Sequence, residues 1–242
     1  MVFIPLSDDN PRLIVRYPYV TWGIIGLNAV VWVVLQSGLL IPASPGLAMS
    51  WGVVPSLVSG QAVLPVELQI VPPWLTFITS LFLHGDVVHV AANLFFVWVF
   101  ADNIEDSMGH VRFVVFYLLC GLAGGLCYQL SVPGSNAPLI GASSAVSGII
   151  AAYLLLHPRV KIWVLLFARI PLRLTASWVI LSWLAVQLGS LWFSGDDATA
   201  WMAHLGGFAA GALLTVPMKR SEVPLFGRPP KTIAGTRRIE EF

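Results

Sequence analysis

A serine and a histidine lie in strongly apolar stretches of this sequence, where polar side chains are energetically costly. Ser143 follows Gly141 in a run of small residues, and His204 begins the sequence His-Leu-Gly-Gly-Phe-Ala-Ala-Gly. Polar residues in such stretches are functional candidates by default, and a serine hydroxyl beside a histidine base is a common catalytic nucleophile. We therefore predict that Ser143 is a nucleophile and His204 its general base, acting as a dyad without an Asp partner.

Two further polar residues, His89 and Asn93, could stabilise negative charge. They are four residues apart, so on a helix they project from the same face. Ser143 stands at the start of another predicted helix, where free backbone N–H groups and the helix dipole favour an anion. Such donors are what an oxyanion hole requires. We predict that His89, Asn93 and the helix start at Ser143 bind the charge that develops during acyl transfer.

A pair of glycines explains how the serine and the histidine could meet. Gly207 and Gly211 lie on the helix face that carries His204, and this spacing permits close approach of a helix with small residues. The segment that begins at Ser143 offers such a face. Each feature also has a simpler explanation, because buried serines often bond their own backbone and polar or glycine pairs can serve packing alone. Their coincidence favours a catalytic site.

The composition predicts that the solvent of this chain is largely lipid. Of its 242 residues, 57% are apolar and 10% are charged, and the mean hydropathy is +0.82. An average soluble domain has about 25% charged residues. These figures, with a net charge of +1, exclude a disordered chain, a nucleic-acid-binding domain and an ordinary soluble globule. Cys120 and Cys127 would lie about 10 Å apart on a helix, too far for a disulfide, and are interpreted as packing residues.

The predicted fold class is all-α, a polytopic membrane protein with six transmembrane helices. A helix that spans the bilayer needs about 20 mostly apolar residues. The candidate segments are 20–41, 87–102, 113–132, 139–156, 175–194 and 198–218. The second segment is short and polar, so it requires shelter inside a bundle. Residues 162–170 are too short to span and are interpreted as an interfacial or loop segment.

The basic residues predict the orientation of these spans. With six spans, all 13 Lys and Arg residues fall on one side of the membrane. The positive-inside rule makes that side cytoplasmic and places both termini there. The predicted organisation is a cytoplasmic segment 1–19, a membrane domain 20–219 with an external loop 42–83, and a polar cytoplasmic tail 220–242. The first span is too long for a signal peptide and is interpreted as retained.

The sequence resembles the rhomboid intramembrane serine proteases over nearly all of residues 1–219. The motifs that carry the resemblance are Thr79-Ser-Leu-Phe-Leu-His84, His89-x-x-x-Asn93, Glu105, Gly141-Ala-Ser143, His204-Leu-Gly-Gly-Phe-x-x-Gly211 and, in the first loop, Trp51-Gly-Val-Val-Pro55. Each motif alone is weak. Their order and their positions on the spans make them highly specific together.

The resemblance implies a six-helix rhomboid-like bundle and a catalytic role for each matched polar residue. Ser143 would be the nucleophile of a serine endopeptidase and His204 its base. His89, Asn93 and the backbone N–H of Ser143 would form the oxyanion hole. No metal or organic cofactor is implied.

Other matched positions would support the site. His84 would hold a loop in place, and Glu105 would be a structural carboxylate near the cytoplasmic end of the second span. Gly141, Gly207 and Gly211 would support the catalytic residues through the shape and packing of the backbone.

The resemblance also implies partners and a location. The substrates would be single-span or polytopic membrane proteins, cleaved in transmembrane segments in or near the outer leaflet after local unwinding. The lipid bilayer is the other implied partner, and nucleic acid is not. The compact six-span form predicts an integral, multi-pass protein of a bacterial plasma membrane. Substrate identity and oligomeric state are left open by the sequence.

Three departures from the family pattern concern the site. Ser144 stands where the family usually has Gly after the nucleophile, so its hydroxyl would either crowd the oxyanion region or face away. Ala101 stands where Gly often precedes the acidic stretch. Ser147 stands where some members have Tyr, and the first loop lacks the Arg of their Trp-Arg pair. Ser147 and the missing Arg predict a different branch with an altered substrate pocket.

Two alternative functions have to be weighed against proteolysis. A rhomboid-like protein without proteolytic activity would bind or escort membrane clients, but such relatives usually lack the Ser or the His that this chain retains. A small transporter or channel would have charged residues within spans or inverted repeats with broken helices, and the sequence has neither. Covalent labelling by a serine-directed probe distinguishes a protease from a transporter.

Overall fold

The computed structural model describes residues 3–44, 46–167, 169–193 and 198–227. The helices are α1 (Tyr19–Val31), α2 (Leu47–Trp51), α3 (Pro55–Val58), α4 (Thr76–Thr79), α5 (Val87–Met108), α6 (His110–Ser131), α7 (Ser143–Leu156), α8 (Ala176–Phe193) and α9 (Ala198–Met218). The strands are β1 (Phe3–Asp8), β2 (Lys161–Leu166) and β3 (Ile170–Thr175). A π-helical turn, Trp32–Gln36, continues α1. The longer helices α1, α5, α6, α7, α8 and α9 coincide with the six predicted apolar segments.

Three of the predicted segment boundaries differ from the helix bounds by four residues or more. The second segment is predicted to end at residue 102, but α5 continues to Met108. The first segment was expected to reach residue 41, but the helix ends at Gln36, shortly before Gly38 with its positive φ of 74°. The fourth was expected from residue 139, but α7 begins at Ser143. The residues before it are extended, because Leu139 and Val53 exchange backbone hydrogen bonds of 2.8 and 3.0 Å.

Four helices in the described part of the chain are long and apolar enough to cross a membrane. They are Tyr19–Gln36, Val87–Met108, His110–Ser131 and Trp201–Met218. The apolar helices α7 and α8 are shorter. With 14 residues, α7 is about 21 Å long, less than the roughly 30 Å of the hydrocarbon core. Since 11 of those residues are buried, α7 is the central helix and is enclosed by protein.

The large side chains of the core pack around the second half of α7. They come from α5, α6 and α7 and are at most 2% exposed: Phe100, Phe113, Phe116, Tyr117 and Tyr153. The first half of α7 has smaller neighbours instead. The bundle is therefore tightest where α7 begins, and its helices approach one another most closely there.

The prediction of an all-α fold is wrong in one respect, because the three strands form an antiparallel sheet in the order β1-β2-β3. Strand β2 occupies the segment that was interpreted as an interfacial or loop segment. Along it, Lys161 and Trp163 are exposed whereas Ile162 and Val164 are fully buried, which is the alternation of a strand. The sheet escaped prediction because β1, the partner of β2, is far away along the sequence.

The sheet lies at one end of the helix bundle, which we call the sheet end. Helix α5 ends there, since the Asn103 amide donates to Asp8 Oδ2 of β1 at 2.9 Å. Helix α9 also ends there, since the Arg220 N–H that follows it donates to the Ser107 carbonyl at 2.8 Å. Helix α7 leads directly into β2. The starts of α5, α7 and α9 therefore meet at the opposite end.

Helix α1 begins at the sheet end because Glu105 caps it. The Glu105 carboxylate accepts hydrogen bonds from the backbone N–H groups of Val20 and Thr21 at 3.1 and 2.8 Å, and from the Thr21 hydroxyl at 2.7 Å. The first N–H groups of a helix have no partner within the helix. Glu105 supplies those partners, which fits the structural role that the sequence implies for it.

The connecting segments agree with the predicted organisation only in outline. The loop 42–83 contains the short helices α2, α3 and α4. The tail 220–242 is described as far as residue 227, where the N–H groups of Phe226 and Gly227 donate to the carbonyls that end α7. Residues 228–242 lie outside the described part of the chain, and the domain boundaries stay a prediction.

Candidate active site

Ser143 and His204 meet at the end of the bundle opposite to the sheet. Ser143 is the first residue of α7, and His204 lies in the second turn of α9. The hydroxyl oxygen of Ser143 is 2.9 Å from Nε2 of His204, which is hydrogen-bond distance. In this geometry the imidazole can accept the proton of the hydroxyl and so activate its oxygen as a nucleophile.

Two glycines allow α9 to come this close to α7. A Cβ atom on Gly207 would lie 2.0 Å from the Ser144 carbonyl oxygen, and one on Gly211 would lie 2.4 Å from Cα of Gly148. The two helix backbones therefore touch directly, as the Gly-x-x-x-Gly spacing predicts. His204 lies one turn before Gly207, so this contact carries it to the start of α7.

The His89 ring lies against the turn that precedes Ser143. Gly141 has a φ of +123°, and a Cβ atom there would lie 2.7 Å from His89 Nε2 and 3.8 Å from the Ser143 hydroxyl oxygen. Asp86 caps α5 by accepting a hydrogen bond from the His89 N–H at 2.8 Å, which fixes the position of the helix start. The structure thus brings His89 close to Ser143.

Asn93 lies one turn further along α5, on the face that carries His89. Its side chain is 5% exposed, and its amide donates to the His89 carbonyl at 3.0 Å. The hydrogen bond described for Asn93 therefore lies within its own helix. The shared helix face agrees with the prediction, and a role in the oxyanion hole stays a prediction.

His84 contacts the same turn through the backbone of Ala142. It is fully buried, its Nε2 accepts a hydrogen bond from the Ala142 N–H at 3.4 Å, and its ring stands edge-on to that of His89 at 5.0 Å. The backbone of His84 is held in turn by the Gln36 side chain, which donates to its carbonyl at 2.7 Å and accepts from its N–H at 2.9 Å. This position fits the loop-supporting role that the resemblance implies.

The two serines that neighbour Ser143 make different contacts. The Ser144 side chain packs toward α6, where a Cβ atom on Gly124 would lie 2.4 Å from Ser144 Cβ. The Ser147 hydroxyl donates to the Ser143 carbonyl at 2.7 Å, within its own helix. Of the two expectations for Ser144, facing away from the oxyanion region agrees with this packing.

A third polar side chain contacts His204, and the sequence analysis missed it. Gln187 of α8 is 4% exposed, and its Oε1 lies 2.9 Å from Nδ1 of His204, the ring nitrogen that faces away from Ser143. The sequence predicts a dyad without an Asp partner, and the side chain that contacts Nδ1 is an amide. A signal was available, since Gln187 is the only amide side chain in the apolar segment 175–194, and strongly polar residues in such segments are functional candidates.

Two tryptophans enclose the His204 imidazole. Trp183 lies one turn before Gln187 on α8, with its ring centroid 6.2 Å from that of His204. Trp201 on α9 meets the imidazole edge-on at 5.6 Å. Aromatic rings at these distances restrict the orientation of the imidazole. Helices α7, α8 and α9 thus each contribute a side chain to one hydrogen-bonded row, Ser143, His204 and Gln187.

Comparison with known proteins identifies the class to which this fold and site belong. A family model described as Rhomboid domain matches residues 72–221, which is more than half of the chain. The matched range contains every residue of the row described above and His89. The chain therefore belongs to the rhomboid family.

Curated relatives point to the same family. The chain is 36% identical over 80 residues to Rhomboid-like protein 11, chloroplastic, of Arabidopsis thaliana, covering 33% of this chain and 28% of that protein. It is 30% identical over 155 residues to RHOMBOID-like protein 12, mitochondrial, of the same plant, covering 57% and 44%. It is 34% identical over 79 residues to Inactive rhomboid protein 1 of Drosophila melanogaster, covering 33% and 5%. The chain spans less than half the length of each of these relatives.

The family and the apolar helices together make this protein a multi-pass integral membrane protein. The two plant relatives are named for the chloroplast and the mitochondrion. They give no support to the expectation of a bacterial plasma membrane.

Proposed function

We propose that this protein is an intramembrane serine endopeptidase in which Ser143 is the nucleophile and His204 the general base. The observation that carries the proposal is the 2.9 Å distance between the Ser143 hydroxyl oxygen and His204 Nε2. Both residues are supplied by helices whose backbones touch. The pair is therefore held in place before any substrate arrives, which is the condition for efficient nucleophilic catalysis.

The reaction would follow acyl-transfer chemistry in two steps. The Ser143 oxygen attacks the carbonyl carbon of the scissile peptide bond while His204 accepts the hydroxyl proton. His204 then gives this proton to the departing amine nitrogen, the C–N bond breaks, and an ester to Ser143 remains. A water molecule, deprotonated by His204, attacks the ester and releases the new carboxyl terminus and the free serine.

The negative charge of the tetrahedral intermediate would be bound beside Gly141. The backbone N–H of Ser143 lies at the start of α7, where the helix dipole favours an anion, and the His89 ring lies against Gly141. Asn93 on the same face of α5 would be the third donor. Loss of one such donor typically lowers the rate by about 10²–10³-fold.

We propose further that all six long helices cross the membrane with both termini in the cytoplasm. The alternating helix directions support this arrangement, because the starts of α5, α7 and α9 meet at the end opposite to the sheet. The described basic residues that flank the helices, such as Arg12, Arg159 and Arg220, belong to segments at the sheet end. Under the positive-inside rule the sheet end is cytoplasmic and the candidate site faces the outer side.

The proposed substrates are transmembrane segments of other membrane proteins. Helix α7 is shorter than the hydrocarbon core is thick, so Ser143 at its start would lie below the membrane surface. A transmembrane helix that unwinds locally at that depth could present its peptide bond to Ser143.

A catalytically inactive protein that binds membrane clients is the second candidate, since one of the relatives is named an inactive rhomboid protein. The close Ser143–His204 pair favours the protease.

Cleavage in reconstituted vesicles tests the proposal. Wild type, Ser143→Ala, His204→Ala and Ser144→Ala would each be reconstituted with a reporter protein that has one transmembrane helix. We expect cleavage by wild type and by Ser144→Ala, whose altered side chain packs toward α6, and none by the other two variants. Folded wild type that binds the reporter without cutting it would instead favour the client-binding function.

A further inference from the structure

Gln187 is the residue near His204 that the two-residue mechanism leaves without a role. It lies in α8 with 4% of its surface exposed, in a helix whose other polar residues are three serines. Its Oε1 is 2.9 Å from His204 Nδ1, and His204 Nε2 is 2.9 Å from the Ser143 hydroxyl oxygen. The imidazole is therefore held between the two side chains, with one hydrogen bond at each nitrogen.

The chemistry of the amide oxygen decides which ring nitrogen carries the proton. A carboxamide oxygen only accepts hydrogen bonds, so His204 Nδ1 must donate to Oε1 of Gln187. In a neutral imidazole the other nitrogen then has a lone pair. Nε2 can consequently accept the Ser143 proton, which is the tautomer that a general base requires. The reverse tautomer would direct an N–H at the Ser143 oxygen and could not take its proton.

The surroundings of Gln187 suit a positioning function. Trp183, one turn earlier on α8, packs beside both His204 and Phe208 of α9, with ring centroids 6.2 Å apart in each case. Helix α8 thus presents an aromatic ring and an amide to the same imidazole. A neutral acceptor also avoids placing a carboxylate among apolar helices, where an ionised group is costly.

We propose that Gln187 is the positioning residue of this site, holding His204 in the tautomer and orientation in which Nε2 faces Ser143. The inference rests on the proposed protease function. It assigns to α8 a part in catalysis that goes beyond packing.

Two substitutions at this position separate positioning from packing. Gln187→Leu keeps the approximate size but removes the acceptor, and Gln187→Glu keeps an acceptor oxygen and adds charge. The control is Ser190→Ala, less than one turn further along α8, where the hydroxyl donates to the Val186 carbonyl of its own helix. The kcat, the KM and the pH dependence of reporter cleavage would be measured for each variant, together with the thermal midpoint in detergent.

We expect Gln187→Leu to lower kcat about tenfold with an unchanged KM, because one neutral hydrogen bond to the base is lost. Gln187→Glu should restore most of the kcat. Its carboxylate would stabilise the protonated imidazole, so the acid limb of its pH profile should move up by about one pH unit or more. Ser190→Ala should match wild type throughout.

Different results would overturn the inference without touching the proposed function. If Gln187→Leu cleaves with wild-type kcat and pH profile, Gln187 does not position His204. Equal losses in the Leu and Glu variants, without a shift of the acid limb, would reduce its role to packing. Should Gln187→Leu fail to fold, a large loss of kcat in folded Gln187→Glu without a shift of the acid limb overturns the inference alone. Failure of the proposed function is recognised separately, as wild type that neither cleaves the reporter nor requires Ser143.

Discussion

At the scale of single residues, the candidate site depends on Gly141, a position where a side chain would not fit. Gly141 combines a φ of +123° with a Cβ position only 2.7 Å from His89 Nε2. Any other residue would be strained at this φ and would push the His89 ring away from the turn that precedes Ser143. The glycine therefore links the position of Ser143 to that of His89, the proposed oxyanion donor.

We expect Gly141→Ala to lower the cleavage rate by about 10²-fold or more, because a proposed oxyanion donor is displaced. The matched control is Gly189→Ala in α8, where a Cβ atom meets nothing within 4 Å. The reporter cleavage rate of both variants in vesicles is the measurement. Equal rates for Gly141→Ala and wild type would remove His89 and the Gly141 turn from the oxyanion hole.

Some residues of the candidate site could be predicted from sequence patterns, and Gln187 could not. Ser143, His89 and His204 stand in short motifs with fixed spacing, so their residue types and neighbours are visible in the sequence. Gln187 has no such motif. Its partner His204 lies on another helix, and the contact between them depends on how α8 and α9 pack, which no local pattern encodes.

At the scale of helices, the contact between α7 and α9 sets the distance between Ser143 and His204. Gly207 and Gly211 leave backbone without a side chain at the contact on the α9 side, and Gly148 does so on the α7 side. Gly124 of α6 accommodates the Ser144 side chain and lies equally close to the Ala203 carbonyl oxygen of α9. Helices α6, α7 and α9 therefore meet in close contact at the level of Ser143 and Ser144.

We expect Gly207→Ala to abolish most cleavage and to destabilise the fold by about 1–3 kcal/mol, a typical cost of overpacking. The new methyl group would lie 2.0 Å from the Ser144 carbonyl oxygen, so α9 must move and His204 must leave Ser143. Gly23→Ala in α1, where a Cβ atom meets nothing within 4 Å, is the control. A Gly207→Ala variant with wild-type rate and thermal midpoint in detergent would contradict the close helix contact.

The helices could be predicted from apolar segments, but the strands could not. Segment 161–166 alternates exposed and buried residues, yet six residues of this kind also fit an interfacial segment. Only its pairing with β1 and β3 makes it a strand. Pairing between distant segments is decided by tertiary structure, and propensity alone is a weak guide to it.

At the scale of the whole molecule, the two ends of the bundle differ in chemistry. The end opposite to the sheet holds the neutral row of Ser143, His204 and Gln187. The sheet end holds carboxylates that tie segments together, such as Asp8 of β1, which accepts hydrogen bonds from Asn103 of α5 and from the Tyr153 hydroxyl of α7. These contacts are far from the candidate site, and their effect is on the stability of the fold.

Asp8 should make the stability of the protein depend on pH. Burial raises the pKa of the Asp8 carboxyl group from its ordinary value of 3.8 to about 7. The folded protein then binds this proton more tightly than the unfolded chain. The stabilisation is fully present below about pH 4 and is lost as the pH rises toward 7.

We expect the contribution of Asp8 to the free energy of unfolding to fall by on the order of 2 kcal/mol between pH 5 and pH 7, so the difference in stability between wild type and Asp8→Asn should change by about that amount over this range. The control is Asp9→Asn, because Asp9 is exposed and pairs with Arg173 at the surface. Thermal unfolding in detergent at pH 5, 6, 7 and 8 is the measurement. Parallel slopes for wild type and Asp8→Asn would show that Asp8 is not the group responsible.

The central claim, that Ser143 is a nucleophile activated by His204, is tested most directly by mapping a covalent adduct. Wild type and His204→Ala would be treated with a fluorophosphonate in detergent, and the modified residue would be identified by peptide mass spectrometry. We predict an adduct on Ser143 in wild type and none in His204→Ala. An adduct on Ser144 or Ser147, or folded wild type with no adduct at all, would contradict the claim.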